Sequence, residues 1–141
     1  MNGMFCGCNN ITSLNLSSFN TTKVNNMDYM FTNCIKLVSL DLSNFDTSNV
    51  KKMSYMFHGC NALTDLDISN FDTKNVETFE NMFYACHAIE SINLSGFNTS
   101  KAINMFQMFG ECKNLKFINL SNFDTSKVTT FSRMFLNCKS L

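Results

Sequence analysis

Hydrophobic and polar positions along this chain repeat with a strict period of 26 residues. The clearest marker is Met-Phe-x-x-Cys, which recurs without insertion or deletion at Met4, Met30, Met56, Met82, Met108 and Met134. A fixed period of this length is typical of a solenoid, in which each repeat forms one coil and buries its apolar face against its neighbours. The 141 residues therefore predict about five full coils with partial coils at the ends.

Each repeat contains a short L-x-x-L-x-L pattern, illustrated by Leu37, Leu40 and Leu42. Successive side chains of a β-strand point to opposite faces. This order therefore sends the last two leucines inward and the residue between them outward, as in the strand of leucine-rich repeats. The pattern predicts one short strand in every coil.

A second set of apolar columns follows the strand. One phenylalanine occurs in each coil, at Phe19, Phe45, Phe71, Phe97 and Phe123. Stacking in register at ~5 Å, the spacing of adjacent strands, would place these rings in a continuous spine. Methionine and phenylalanine share another column, at Met27, Met53, Phe79, Met105 and Phe131, which is typical of an adaptable core slot. A promiscuous binding groove is the alternative, but the columns leave no apolar surplus to line one.

Composition narrows the classes of partner. With 11 acidic and 11 basic residues the charge is balanced, so neither a nucleic acid nor an anionic membrane is an implied partner. No apolar run reaches the length that spans a bilayer, and we expect no direct membrane insertion. The chain starts and stops inside repeats, at Met1 and Leu141. We expect residues 1–141 to be a single solenoid domain, an excerpt of a longer array lacking caps, whose open ends favour end-to-end self-association.

Residues 40–50 (LDLSNFDTSNV) and 53–60 (MSYMFHGC) recur with small changes from Met4 to Leu141. They resemble the BspA-like leucine-rich repeat, which is abundant in mycoplasma surface lipoproteins and in other cell-surface proteins of bacteria and unicellular eukaryotes. The resemblance implies a right-handed parallel β-type solenoid with one sheet. It also implies short second strands near Val50 to Met53 and a short helical turn at Tyr55 to Cys60. A location at the cell surface or outside the cell, and a role in adhesion, host-surface binding or aggregation, are implied by the same resemblance.

Cysteine occurs once per coil, at Cys8, Cys34, Cys60, Cys86, Cys112 and Cys138. Parallel Cβ vectors in such a column do not converge to the separation that a disulfide needs, so we expect reduced and buried thiols. A zinc site needs closely spaced, convergent ligands, and the one close pair is Cys6 and Cys8. We therefore expect no metal.

The two histidines, His58 and His87, occupy different phases of the repeat. Catalysis needs a nucleophile within reach of a base that a third group orients. Cys86 lies beside His87 in sequence, but a column cysteine points inward. We expect no enzymatic activity, no catalytic residue and no cofactor.

Outward side chains of the strands form the candidate binding surface, because leucine-rich solenoids commonly present this face to partners. The candidate residues are Ser39, Asp41, Asp65, Asp67, Ser91, Asn93 and Phe117. Asp65 and Phe117 break a column of serines, which favours binding of a host or cell-surface protein or glycan. The alternative is a structural spacer in a longer surface protein, in which serine and Asx ladders only solvate the sheet.

A polar pair, Asx followed by threonine, closes the strand segment of each coil at Asn20, Asp46, Asp72, Asn98 and Asp124. The pair predicts a turn, because a short Asx side chain accepts hydrogen bonds from backbone two residues on. A calcium ladder is less favoured, since two of the five positions are asparagine. An ice-like lattice is also less favoured, since each coil adds one threonine followed by a variable residue.

Overall fold

The computed structural model describes all 141 residues, and its strands recur at the period of the sequence. Each strand has two residues: β1 (Ser39–Leu40), β2 (Asp65–Leu66), β3 (Ser91–Ile92) and β4 (Phe117–Ile118). β1 pairs in parallel with β2, and β3 with β4, so that Ser39 faces Asp65 and Ser91 faces Phe117. Each repeat therefore stacks on the next, and the structure contains no helix.

The strands bury their leucines as the alternation predicts. Leu40 and Leu42 are 6% and 1% exposed, whereas Asp41 between them faces solvent. Met27 and Phe79 of the mixed methionine and phenylalanine column are fully buried and belong to one continuous apolar cluster. These side chains are therefore core residues rather than the lining of a groove.

Asparagine side chains tie neighbouring coils together beside the strands. The Asn44 amide nitrogen donates to the carbonyls of Leu16 and Phe19 in the preceding coil, both at 3.0 Å. Asn70 and Asn122 make the equivalent bonds one and three coils later. Each bridge pairs the phenylalanine carbonyl, to which no backbone N–H donates, and adds a second donor to the leucine carbonyl.

The sheet is interrupted between β2 and β3, so the prediction of one sheet is wrong. At this junction the asparagine position is occupied by Gly96, which has no amide to donate. Its backbone lies so close to the preceding coil that an added Cβ would be 2.9 Å from the Ser69 carbonyl oxygen. The junction between the third and fourth coils therefore lacks both the amide bridge and the strand pairing.

The segment expected to form second strands and a helical turn contains one bridge residue per coil, followed by consecutive β-turns. Single-residue parallel bridges join successive coils at Asn26, Lys52, Thr78, Asn104 and Thr130. In the turns after each bridge, backbone N–H groups donate to the carbonyl three residues back. An example is the Cys60 N–H, which donates to the Phe57 carbonyl at 3.1 Å. A second parallel ladder is therefore present where short strands were predicted, reduced to one residue per coil, whereas the prediction of a helical turn is wrong.

The turns leave alternate N–H groups free for the next coil. Tyr55 donates to the Glu80 carbonyl at 2.8 Å, and Phe57 donates to the Met82 carbonyl at 2.9 Å. An α-helix would direct these N–H groups to carbonyls four residues back within the same coil. Hydrogen bonding between coils thus favours turns over a helix.

Two positions of every turn segment lie in the left-handed region of backbone space. The first is occupied by Gly3, Tyr29, Tyr55, Asn81, Gln107 and Arg133, and the second by Gly7, Asn33, Gly59, Ala85, Glu111 and Asn137. Left-handed backbone at the third residue of a turn is the feature of type II turns, which favour glycine or asparagine there. Tyrosine, alanine and glutamate at these positions are strained, and hydrogen bonds to the neighbouring coils hold them in place.

The aromatic spine exists in a different column from the one predicted. The stacked rings belong to the Met-Phe pair: Phe31 to Phe57 and Phe57 to Phe83 are both 5.6 Å apart, within 8° of parallel. Phe97, from the predicted column, is buried but packs tilted at 30° against Phe79. The core contains a continuous ring stack, formed by the turn segment rather than the strand segment.

The Asx-Thr pairs form turns and inter-coil bonds. Asp46 Oδ1 accepts from the Ser48 backbone N–H at 2.9 Å, as the turn prediction requires. Thr47 is 1% exposed, and its hydroxyl donates to the Asp72 carbonyl of the next coil at 3.0 Å. Buried threonines cannot present an ice-like lattice to solvent.

Candidate functional site

The seven predicted residues all lie on the strand face and are all exposed, in two shallow grooves. The acidic groove is lined by Ser39, Leu40, Asp41, Asp65 and Asp67 and has a volume of about 290 Å³. The phenylalanine groove is lined by residues that include Ser91, Asn93, Phe117 and Asn119 and has a volume of about 310 Å³. The interruption between β2 and β3 separates the two grooves.

Two aspartates of the acidic groove also close turns. Asp41 Oδ1 accepts from the Ser43 backbone N–H, and Asp67 Oδ1 accepts from that of Ser69, both at 2.9 Å. These backbone hydrogen bonds hold the pKa of both carboxyls below the ordinary aspartate value, so both are ionised at neutral pH. Asp65 makes no such bond, and its whole carboxylate is available to a partner.

The phenylalanine groove has one large apolar side chain. Phe117 is 66% exposed, although it lies on β4 directly opposite Ser91 of β3. Asn93 resembles Asp41 in its role, since its Oδ1 accepts from the Ser95 backbone N–H at 3.1 Å. Phe117 is therefore the residue of this groove with the most surface to bury against a partner.

Cys34, Cys60, Cys86 and Cys112 are buried free thiols, as predicted, whereas Cys8 and Cys138 at the two ends of the column are half-buried. The Cys60 and Cys86 thiols each donate to a phenylalanine carbonyl at 3.2 Å, and this bond recurs down the column. Burial raises the pKa of Cys60 and Cys112 to about 12 and that of Cys34 to about 11. Thiolate is the nucleophilic form of cysteine, so this environment suppresses reactivity.

Neither histidine forms a hydrogen bond with a thiol of the column. His58 packs between the rings of Tyr55 and Tyr84, with centroids 5.4 and 5.0 Å away, and its buried Nδ1 has no hydrogen-bond partner. Burial lowers the pKa of both His58 and His87, which favours the neutral imidazole. The structure holds no group of three or more His, Cys, Asp or Glu side chains placed to bind a metal. It also has no helix with the length and hydrophobicity needed to span a bilayer.

Comparison with known families places the chain. The family described as "Mycoplasma protein of unknown function, DUF285" matches residues 1–116 and 64–141, which together span the whole chain. The chain belongs to this family. Comparison with curated proteins gives no match.

Two solved structures are similar to this family member. A leucine-rich repeat protein from Bacteroides ovatus is 18% identical with a TM-score of 0.44, over 92% of this chain and 38% of that one. A leucine-rich cell surface protein from Faecalibacterium prausnitzii is 22% identical with a TM-score of 0.28, over 64% of this chain and 34% of that one. The chain thus spans little more than a third of the length of either protein.

This member of the family has a further depression, which the sequence reasoning missed. The tyrosine groove has a volume of about 400 Å³, and its lining includes Asp28, Tyr29, Tyr55, Glu77, Glu80 and Asn104. The signal in the sequence is faint. Tyrosine occupies, at Tyr29 and Tyr55, the position where Gly3 lies one coil earlier.

Proposed function

We propose that this segment is a non-catalytic recognition module that binds a protein or glycan through its strand face. The observation that carries the proposal is the exposure of Phe117 on the strand face. The equivalent position in the other coils is serine or aspartate. Exposed aromatic side chains are enriched among the residues that dominate binding energy in interfaces. A partner that covers this ring gains apolar burial at about 25 cal/mol per Å².

The negative charge of the acidic groove favours a partner that carries hydrogen-bond donors. Asp41, Asp65 and Asp67 are exposed carboxylates on adjacent coils, and Asp65 is unoccupied by any bond within the chain. Hydroxyl groups of a glycan, or amide and cationic groups of a protein, would satisfy these acceptors. Cell-surface or secreted localisation is part of the proposal and derives from the BspA-like resemblance.

Absence of catalysis is also a proposal. It is supported by thiols with raised pKa values that hydrogen-bond to phenylalanine carbonyls rather than to a histidine. A reaction would require a nucleophile and a base within hydrogen-bond reach. Incubation with ester, peptide and glycoside substrates should give no turnover above buffer, and turnover abolished by a single substitution would contradict the proposal.

A structural spacer is the second candidate function. Its support is the use of Asp41, Asp67 and Asn93 as turn acceptors, because a purely structural ladder would place the same side chains there. The two functions differ in what they require of Asp65 and Phe117. A spacer needs neither residue.

The test restores the serine column on the strand face. The double variant Asp65→Ser/Phe117→Ser should lose most binding to arrayed host-surface proteins and glycans, while its circular dichroism and unfolding midpoint remain those of the parent. Ile35→Ser is the matched control, because Ile35 is an exposed apolar residue outside both grooves. Equal binding by the parent and the double variant would favour the spacer.

A further inference from the structure

The tyrosine groove lies on the turn side of each coil and shares no residue with the strand-face grooves. Tyr29 and Tyr55 stack with ring centroids 4.8 Å apart and planes 13° from parallel. Gly3, one coil earlier, has no side chain to continue this stack. The outer face of Tyr29 is therefore uncovered, and the residue is 41% exposed.

Hydrogen bonds fix a carboxylate beside the tyrosines. The Tyr55 hydroxyl donates to Glu80 Oε1 and the Asn104 amide nitrogen donates to Glu80 Oε2, both at 3.0 Å. Two coils before Glu80, Asp28 Oδ1 accepts from the Ser54 backbone N–H at 2.7 Å. The groove is thus pre-organised, and a ligand would find its polar groups already oriented.

Charge in the groove is strongly negative on a chain that is neutral as a whole. Asp28, Glu77 and Glu80 provide three carboxylates against one ammonium group, Lys52, which gives a formal charge of −2. The ion pairs of the chain lie elsewhere: Lys74 with Asp72, Lys113 with Glu111, and Lys116 with Glu90. No salt bridge within the chain neutralises these carboxylates.

We propose that the tyrosine groove binds the lysine and arginine side chains of an extended basic peptide. The open face of Tyr29 lies at the end of the groove, on the side away from Tyr55, and a cation placed over it is attracted by the quadrupole of the ring. The carboxylates of Glu77 and Glu80 supply charge-assisted hydrogen bonds to further cationic groups along the groove. A neutral glycan would use the ring face but would gain nothing from the excess negative charge. Charge complementarity therefore favours the peptide.

The probe is a fluorescein-labelled, terminally blocked peptide of alternating lysine and glycine, with binding measured by fluorescence anisotropy. Its dissociation constant should rise with salt concentration, as expected for exposed charges. Tyr29→Gly removes the ring at a backbone position that suits glycine, since φ there is +59°. This variant should weaken binding roughly two- to fivefold, the effect of an exposed cation–π contact. Glu77→Gln, which is nearly isosteric, should weaken binding by a similar factor.

Two controls make the test decisive. Glu90→Gln makes the same charge change outside the groove and should leave affinity unchanged. The strand-face variant Asp65→Ser/Phe117→Ser should also retain peptide binding, which separates this site from the proposed recognition surface. Equal losses of peptide affinity for Glu77→Gln and Glu90→Gln would show that the peptide responds only to the overall charge of the chain, and would overturn the proposal. Displacement of the peptide by a neutral oligosaccharide, dependent on Tyr29, would overturn it in favour of a glycan site.

Discussion

Replacing Ala85 by glycine should stabilise this protein. Ala85 lies at φ +58°, at the position where Gly59 lies one coil earlier. The Cβ of an L-residue in this region approaches a carbonyl oxygen and costs ~1–2 kcal/mol. Glycine avoids that contact but loses about 0.5–1 kcal/mol more conformational free energy on folding than alanine. The midpoints of these two ranges predict that Ala85→Gly raises the free energy of unfolding by roughly 0.75 kcal/mol.

The chain contains matched controls for this prediction. Ala88, in the same coil, lies outside the left-handed region. Ala88→Gly should therefore show only the entropic loss and destabilise by about 0.5–1 kcal/mol. Gly59→Ala makes the reverse change at φ +69°, where the added Cβ would also meet the Asn33 side chain. This variant should destabilise by at least ~1 kcal/mol.

Urea unfolding followed by circular dichroism measures the three variants. The slope of the transition should stay constant, because none of the changes alters the area exposed on unfolding appreciably. A gain of this size should also raise the melting temperature of Ala85→Gly by about 2–3 °C. Shifts of the same sign for Ala85→Gly and Ala88→Gly would show that the turn holds no strain, and the reasoning would fail.

Three further predictions concern the core, the thiols and the ends. Phe57→Ala should lower the free energy of unfolding by about 3–5 kcal/mol, since Phe57 is fully buried between two rings. The outward substitution Asp65→Ala should change it by no more than about 0.5 kcal/mol. Equal shifts in denaturant melts would mean that inside and outside are wrongly assigned. Burial raises the pKa of Cys60 and Cys112 from 9.0 to about 12, so the unfolded chain releases these protons first and stability should fall as pH rises through this range. A urea midpoint independent of alkaline pH, or a dependence unchanged in Cys60→Ala/Cys112→Ala, would contradict this. The 141-residue chain should associate end to end through exposed Met4, Phe131 and Leu141, and Phe131→Lys should weaken the association. Sedimentation of the parent as a strict monomer at high micromolar concentration would refute this prediction.

The strand face shows how far sequence reasoning reaches a binding surface. Alternation placed Asp41, Asp65 and Phe117 outside, because side-chain direction in a strand follows from backbone geometry alone. The sequence could not show that Asp41 serves its own turn while Asp65 is unbonded, since both are aspartates on the same face. The tyrosine groove was missed for a related reason. It combines Tyr29 with Glu80 and Asn104, which lie in different columns and different coils.

The period of 26 residues by itself determined the stacking of repeats, the inward leucines and the buried cysteine column. A residue repeated at one phase lies beside its copies when coils stack, and alternation along the strand sends the leucines inward. Only the tertiary structure decided which positions of the repeat contact one another. It placed the ring stack at Phe57 rather than Phe71, replaced the helical turn by turns with left-handed residues, and interrupted the sheet between β2 and β3. Those outcomes depend on how the backbone N–H and carbonyl groups of one coil reach the next. The aligned sequences of the repeats do not encode that geometry.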